Sequence, residues 1–187
     1  DARIWINGFY LGHEPSGYAT QVYDITEYLN YGEENLICVR ADATLEEGWF
    51  YEGAGIYRHV WLNKTAPLHV APFGVFVSST LEAPFDKAVL VTEVQMKNSG
   101  KDPVSGKVWC RLLDADGQVQ MEDEAEEITL LPQETRSVKV RTKVTESPAS
   151  RSTEIILTFI KMETSVWQNG RQVDVVATPI GIRDIRF

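Results

Sequence analysis

Carboxylates and aromatic rings crowd into one short stretch of this chain. Glu46, Glu47 and Glu52 border Trp49, Phe50 and Tyr51, and Gly53-Ala54-Gly55-Ile56-Tyr57-Arg58-His59-Val60-Trp61-Leu62 follows at once. Pyranose rings offer C–H faces to aromatic rings and hydroxyls to carboxylates, so a rim of Glu46, Trp49, Tyr51 and Glu52 is chemically suited to a sugar. The same rings would serve equally to pack a domain junction, and both readings stand at this point. Paired carboxylates hydrolyse glycosides, but spacing alone pairs no two of the 27 acidic residues. The acidic run from Glu122 to Glu127 reads as a solvated strand face. Arg58 reads as a fastener that pairs with a carboxylate such as Asp24 or Asp42, with a ligand role as the alternative. Gly55 marks a backbone bend beneath bulky side chains.

Other chemistries find little support. His13, His59 and His69 lack metal-ligand spacing, and Cys-x-x-Cys is absent, so no metal is expected. No nucleophile elbow, phosphate loop or dinucleotide fingerprint occurs, and no cofactor is expected. Gly53-Ala54-Gly55 lacks the strand-to-helix context in which glycines cradle a phosphate. A net charge of −9 argues against nucleic acid and against anionic membrane surfaces. No apolar run approaches the roughly 20 residues of a membrane-spanning helix. The chain opens at Asp1 directly in a strand pattern, without the charged and apolar regions of a signal peptide. We therefore expect a piece of a longer polypeptide, and its compartment stays unassigned: the acidic charge suits bacterial periplasm and cytoplasm equally. Cys38 and Cys110 fall in different expected domains and read as two buried free thiols.

The elements that would position these residues are almost all of period two. Asn7-Gly8 between two apolar runs predicts a hairpin, because both turn residues need positive φ. Asp24-Ile25-Thr26-Glu27 predicts a capped helical turn that ends at Gly32. Further strands are expected at 34–41, 55–63, 68–78 (a pair or one bent strand) and 88–97. More follow around Val108-Cys110-Leu112, over 118–127, 128–131 and 137–144, and through 154–166, which Asn169-Gly170 turns back into 172–177. Asp114-Ala115-Asp116-Gly117 is a turn by composition. Many short strands, with turns every 8–12 residues or so, signal a β-sandwich. The fold class expected is all-β. Residues 67–187 supply an immunoglobulin-like sandwich, whereas residues 1–66 supply four or five strands, too few to close one.

Five motifs in order then resemble a known family. They are Ile4-Trp5-Ile6-Asn7-Gly8 with Leu11-Gly12, Gly17-Tyr18, Tyr23-Asp24-Ile25-Thr26-Glu27-Tyr28-Leu29, Glu34-Asn35-Leu36-Ile37-Cys38-Val39-Arg40, and Gly55-Ile56-Tyr57-Arg58-His59-Val60-Trp61-Leu62. Their order and spacing resemble glycoside hydrolase family 2, the β-galactosidases, β-glucuronidases and β-mannosidases. The resemblance implies that residues 1–66 are the C-terminal part of a jelly-roll sugar-binding domain. It implies an immunoglobulin-like domain over 67–187, with 179–187 leading toward a TIM barrel that this chain does not contain. Two departures stand out. Glu146-Ser147-Pro148-Ala149-Ser150 keeps only the Ser-Pro of a segment the family uses near the barrel. Trp49 stands six residues before Gly55, where several members carry a substrate-approaching Asp, so a carboxylate role there would pass to Glu46, Glu47 or Glu52.

The resemblance implies a retaining β-glycosidase as parent, acting on a β-linked sugar, with its two catalytic carboxylates on the barrel. The catalytic residues in this chain are then none, and turnover by the chain alone is not expected. Glu46, Trp49, Tyr51 and Glu52 become candidate substrate-binding residues that work only beside the barrel, and Asp24, Gly55 and Arg58 become structural. The implied partners are the β-linked sugar, the TIM-barrel domain of the same polypeptide and, as in many family members, a second copy in a homo-oligomer. An autonomous carbohydrate-binding module and a structural pair of sandwiches are the alternative readings.

Overall fold

Asn7 and Gly8 take the left-handed conformations that their position demands, with φ of +49° and +86°. They join β1 (Ala2–Ile6) to β2 (Phe9–Glu14). The computed structural model describes residues 1–44, 53–82, 87–144 and 160–182. It divides into two units, Asp1–Leu62 and Asn63–Phe187. Among the described residues the regular structure is strand throughout, apart from one 3-10 turn at Thr26–Tyr28. The expected all-β class is what the chain adopts.

In the first unit β3 (Ile37–Ala41) pairs with β1, giving an antiparallel sheet in the order β2-β1-β3. Register sets Ala2, Ile4 and Ile6 opposite Ala41, Val39 and Ile37, so one face is wholly apolar at these positions. Asn7 does more than turn the hairpin. Its Nδ2 donates to the Tyr28 carbonyl and to Asn35 Oδ1, both at 2.8 Å, and its Oδ1 accepts the Leu36 amide at 2.9 Å. Asn35 in turn donates to the Asn30 and Glu33 carbonyls, both at 3.0 Å. Two short amides thereby satisfy backbone groups that no ladder reaches.

Four expectations for this unit need correction. The described residues give three strands, not four or five. The stretch 55–63 is not a strand: its side chains are exposed, and no described strand supplies the ladder a strand requires. Asp24 does not cap three residues ahead. Its Oδ1 accepts the Thr26 amide at 3.0 Å and the Thr26 hydroxyl at 2.6 Å, an Asx turn that suits one tight turn better than a capping box. Cys38 is exposed together with its neighbours on both faces of β3, Ile37 and Val39 included, and it lies opposite Trp5 in the register with β1.

The second unit is an immunoglobulin-like sandwich. Its strands are β4 (Leu68–Glu82), β5 (Lys87–Asn98), β6 (Val104–Leu113), β7 (Val119–Glu124), β8 (Ile128–Leu130), β9 (Thr135–Val144), β10 (Ile160–Gln168) and β11 (Arg171–Ile180). One sheet runs β4-β5-β9 and the other β11-β10-β6-β7, with β8 also pairing β6. The three-stranded sheet thus faces the four-stranded one. The core between the sheets holds Leu90, Val94 and Met96 of β5, Val108, Cys110 and Leu112 of β6, Val140 of β9, and Met162 and Val166 of β10. The alternation anticipated for Val108-Cys110-Leu112 places those side chains inward and Trp109 and Arg111 outward. Burial pushes the Cys110 thiol up to about 11.

Turn chemistry closes the sandwich. Asn169 and Gly170 (φ +51° and +72°) join β10 to β11. Gly117 (φ +79°) donates to the Asp114 carbonyl at 3.1 Å. β4 is one bent strand: its register against β5 jumps between Val70 and Val75. At the bend Phe73 has φ +56° and is 82% exposed, while a Cβ on Gly74 would meet the Ala71 carbonyl oxygen at 2.6 Å. Glu122 and Glu124 are solvated as expected, and each also meets a cation, Arg111 and Lys107 respectively.

Candidate functional site

The stretch that sequence singles out lies in the chain between Asp42 and Gly53–Leu62. Glu46, Trp49, Tyr51 and Glu52 themselves lie outside the described residues. Both flanks are described.

The launching side is fixed by Asp42, one residue past β3. Its amide donates to the Asp1 carbonyl at 2.8 Å, extending the β1–β3 pairing by a step. Its Oδ1 accepts the Thr44 hydroxyl at 2.6 Å and the Thr44 amide at 3.2 Å, and its Oδ2 takes Arg40 Nη2 at 2.9 Å. These bonds, the Thr44 hydroxyl first, hold the carboxyl at about 2, well below its ordinary value. Asp42 is therefore a charged but fully engaged acid, which suits anchoring better than proton transfer. Sequence reasoning offered it only as a mate for Arg58, whereas Arg40 takes that place. The Asp-x-Thr spacing was the available signal, since a side chain two residues ahead of a threonine amide favours such a turn.

The receiving side carries Gly55 and Arg58. Gly55 has φ +153°, a conformation L side chains rarely adopt, with open space where a Cβ would stand. Backbone geometry rather than crowding calls for glycine here. Tyr57 donates its hydroxyl to the Gly17 carbonyl at 2.8 Å, tying this stretch to the bend after β2. The Arg58 guanidinium lies 5.3 Å from the centroid of the Tyr57 ring, within cation–π range. Asp24, the third structural candidate, opens the 3-10 turn at Thr26–Tyr28.

Rings remain open to solvent beside these anchors. Tyr57, Val60, Trp61 and Leu62 are all exposed, and His59 and Trp61 pair with ring centroids 5.3 Å apart. Among the described residues no three His, Cys, Asp or Glu side chains gather as metal ligands.

Known proteins give this geometry a family. No protein-family model matches the chain. The β-galactosidase BoGH2A of Bacteroides ovatus is 32% identical over 184 residues, 98% of this chain and 21% of that protein. A putative β-glucuronidase of Formosa agariphila is 29% identical over 191 residues, 92% of this chain and 18% of its own length. Among solved structures, a glycosyl hydrolase family 2 member from Bacteroides cellulosilyticus superposes with a TM-score of 0.88 at 28% identity, over 100% of this chain and 25% of that one. A β-glucuronidase from the same family shares the fold at a TM-score of 0.89 and 21% identity, over 98% of this chain and 21% of that one. The chain thus spans about a fifth of the length of these curated relatives. Along nearly its whole length, the chain matches one part of glycoside hydrolase family 2 proteins in sequence and in fold.

Proposed function

We propose that this chain is a non-catalytic part of a retaining β-glycosidase, and that its 43–54 loop forms one wall of the sugar pocket. The observation that carries the reading is the 32% identity to a β-galactosidase over 98% of the chain. On this reading residues 1–66 belong to a jelly-roll sugar-binding domain, and 67–187 form the sandwich that precedes a TIM barrel. The barrel supplies both carboxylates of the retaining mechanism, one as nucleophile and one as acid and base. The chain supplies Trp49 and Tyr51 for stacking and Glu46 and Glu52 for hydroxyls. Asp42 and Tyr57, bonded on either side of the loop, support the assignment by holding its two ends.

Kinetics test it. In the polypeptide that carries the barrel, Trp49→Ala should raise KM for nitrophenyl β-galactoside about tenfold, the scale of one lost stacking contact. The thermal midpoint should stay within a few degrees. A sharp fall in melting temperature with unchanged kinetics would make the loop packing rather than pocket. Turnover of the same substrate by the 187-residue chain alone would overturn the non-catalytic assignment.

A further inference from the structure

The bend in β4 holds a phenylalanine out into solvent. Among the described residues four non-glycine side chains stand at positive φ, those of Asn7, Phe73, Gln133 and Asn169. Asn7 and Asn169 turn hairpins, and asparagine tolerates the left-handed region. A bulky ring does not, so Phe73 at φ +56° is the outlier. Its side chain is 82% exposed and meets no other ring and no cation among the described residues.

The neighbours fix this posture. Pro72 restricts its own φ, and Asp174 takes the Val70 amide at 2.8 Å. Only glycine fits at position 74, where a Cβ would lie 2.6 Å from the Ala71 carbonyl oxygen and 3.1 Å from Gln95. Bending the strand accounts for Pro72 and Gly74. It does not account for the ring, because asparagine or glycine at position 73 would make the same bend with less strain. Three residues on, Phe76 is open as well, at 67%.

We propose that Phe73 is a preset anchor for the barrel of the same polypeptide, seated in an apolar pocket on that domain. The proposal rests on the reading that a barrel follows this chain. An aromatic ring already held in its bound posture loses little freedom on docking, and buried aromatic anchors dominate interfaces. Chain length and reach identify the occupant. The chain covers 21% of one relative and 25% of another, so most of each lies outside it. The bend is bonded to β11, the last described strand, and Ile180 at the end of that strand lies about 20 Å of strand beyond Asp174. A barrel of roughly 250 residues is about 45 Å across. One that begins just past β11 therefore reaches the bend.

Phe73→Asn separates strain from docking by sign. In the 187-residue chain it should leave the melting temperature unchanged or raise it, since the turn is kept and only an exposed ring is lost. In the polypeptide that carries the barrel the same variant should lower it by about 3 °C or more. A fall in the shorter chain, or none in the longer one, would overturn the proposal. Benzoylphenylalanine incorporated at position 73 identifies the occupant directly. Illumination of the longer polypeptide should join it to a barrel peptide, read by mass spectrometry. Cross-links to residues 1–66 or to a second copy, or none at all, would also overturn it. Turnover of nitrophenyl β-galactoside by the longer polypeptide tests the barrel reading separately. Turnover without the stability difference sinks the anchor alone, whereas a sequence with no barrel past Phe187 sinks both.

Discussion

Asp174 accepts the backbone amide of Val70 at 2.8 Å, joining two residues 104 positions apart. Both stand at irregularities. Val70 is the last residue of β4 before its register against β5 jumps, and Asp174 lies beside the register shift between β10 and β11. The Val70 amide, on an edge strand, finds a carboxylate as its acceptor.

Removing that carboxylate should therefore cost more than a surface change. Asp174→Ala leaves the buried Val70 amide unsatisfied, at about 1–3 kcal/mol. Asp174→Asn keeps an oxygen in place and should cost less than half as much. Urea unfolding followed by circular dichroism measures both, and equal losses for the two variants would show that the charge rather than the acceptor matters.

Asn98 should be the least replaceable polar side chain of the sandwich. It is 1% exposed, its Nδ2 donates to the carbonyls of Asp102, Leu130 and Leu131 at 2.9, 3.3 and 3.1 Å, and its Oδ1 accepts the Gly100 amide at 2.9 Å. One side chain thus closes the turn after β5 and the end of β8. Asn98→Ala should lose about 3 kcal/mol, several hydrogen bonds failing together. A loss below 1 kcal/mol or so in the same unfolding measurement would mean that water replaces the amide without penalty.

Acid should loosen the loop's anchor in a definite window. The Asp42 carboxyl sits at about 2 in the fold against an ordinary 3.8, so the folded state holds its proton less readily than the unfolded one. Its contribution is present above pH 4 and is lost as pH falls toward 2. Asp42→Asn removes that titration while keeping an acceptor for Thr44. Glu134, lowered by the Leu131 amide and Arg136, titrates in both proteins and cancels. Between pH 4 and 2 the melting temperature should fall less steeply for Asp42→Asn than for the parent, and parallel slopes would refute the anchor.

What the sequence made legible follows from which interactions are local. Asn7-Gly8, Asn169-Gly170 and Asp114–Gly117 could be read because their own side chains and φ values fix the turn. The inward set Val108, Cys110 and Leu112 could be read because a strand alternates. Cys38 was misassigned because β3 is exposed on both faces, Ile37 and Val39 included, and no pattern within the segment reports what covers it. The stretch 55–63 alternates like a strand, yet a strand also needs a neighbour, and no pattern in the segment reports one. The Asp174–Val70 bond joins residues with no sequence relationship at all. Of the site, Asp24, Gly55 and Arg58 lie in described structure, as does Asp42. The four proposed sugar contacts lie outside it.

The bend in β4 has a consequence for self-association. β4 is an edge strand, and an edge with free amides is a template on which another copy's strand can grow. Here Pro72 has no amide to offer, the Val70 amide is already taken by Asp174, and the left-handed Phe73 swings the backbone out of line. An incoming strand would find its hydrogen bonds interrupted midway. Pro72, Phe73 and the Asp174–Val70 bond thus act as a stop against edge-to-edge polymerisation, built mainly from backbone geometry.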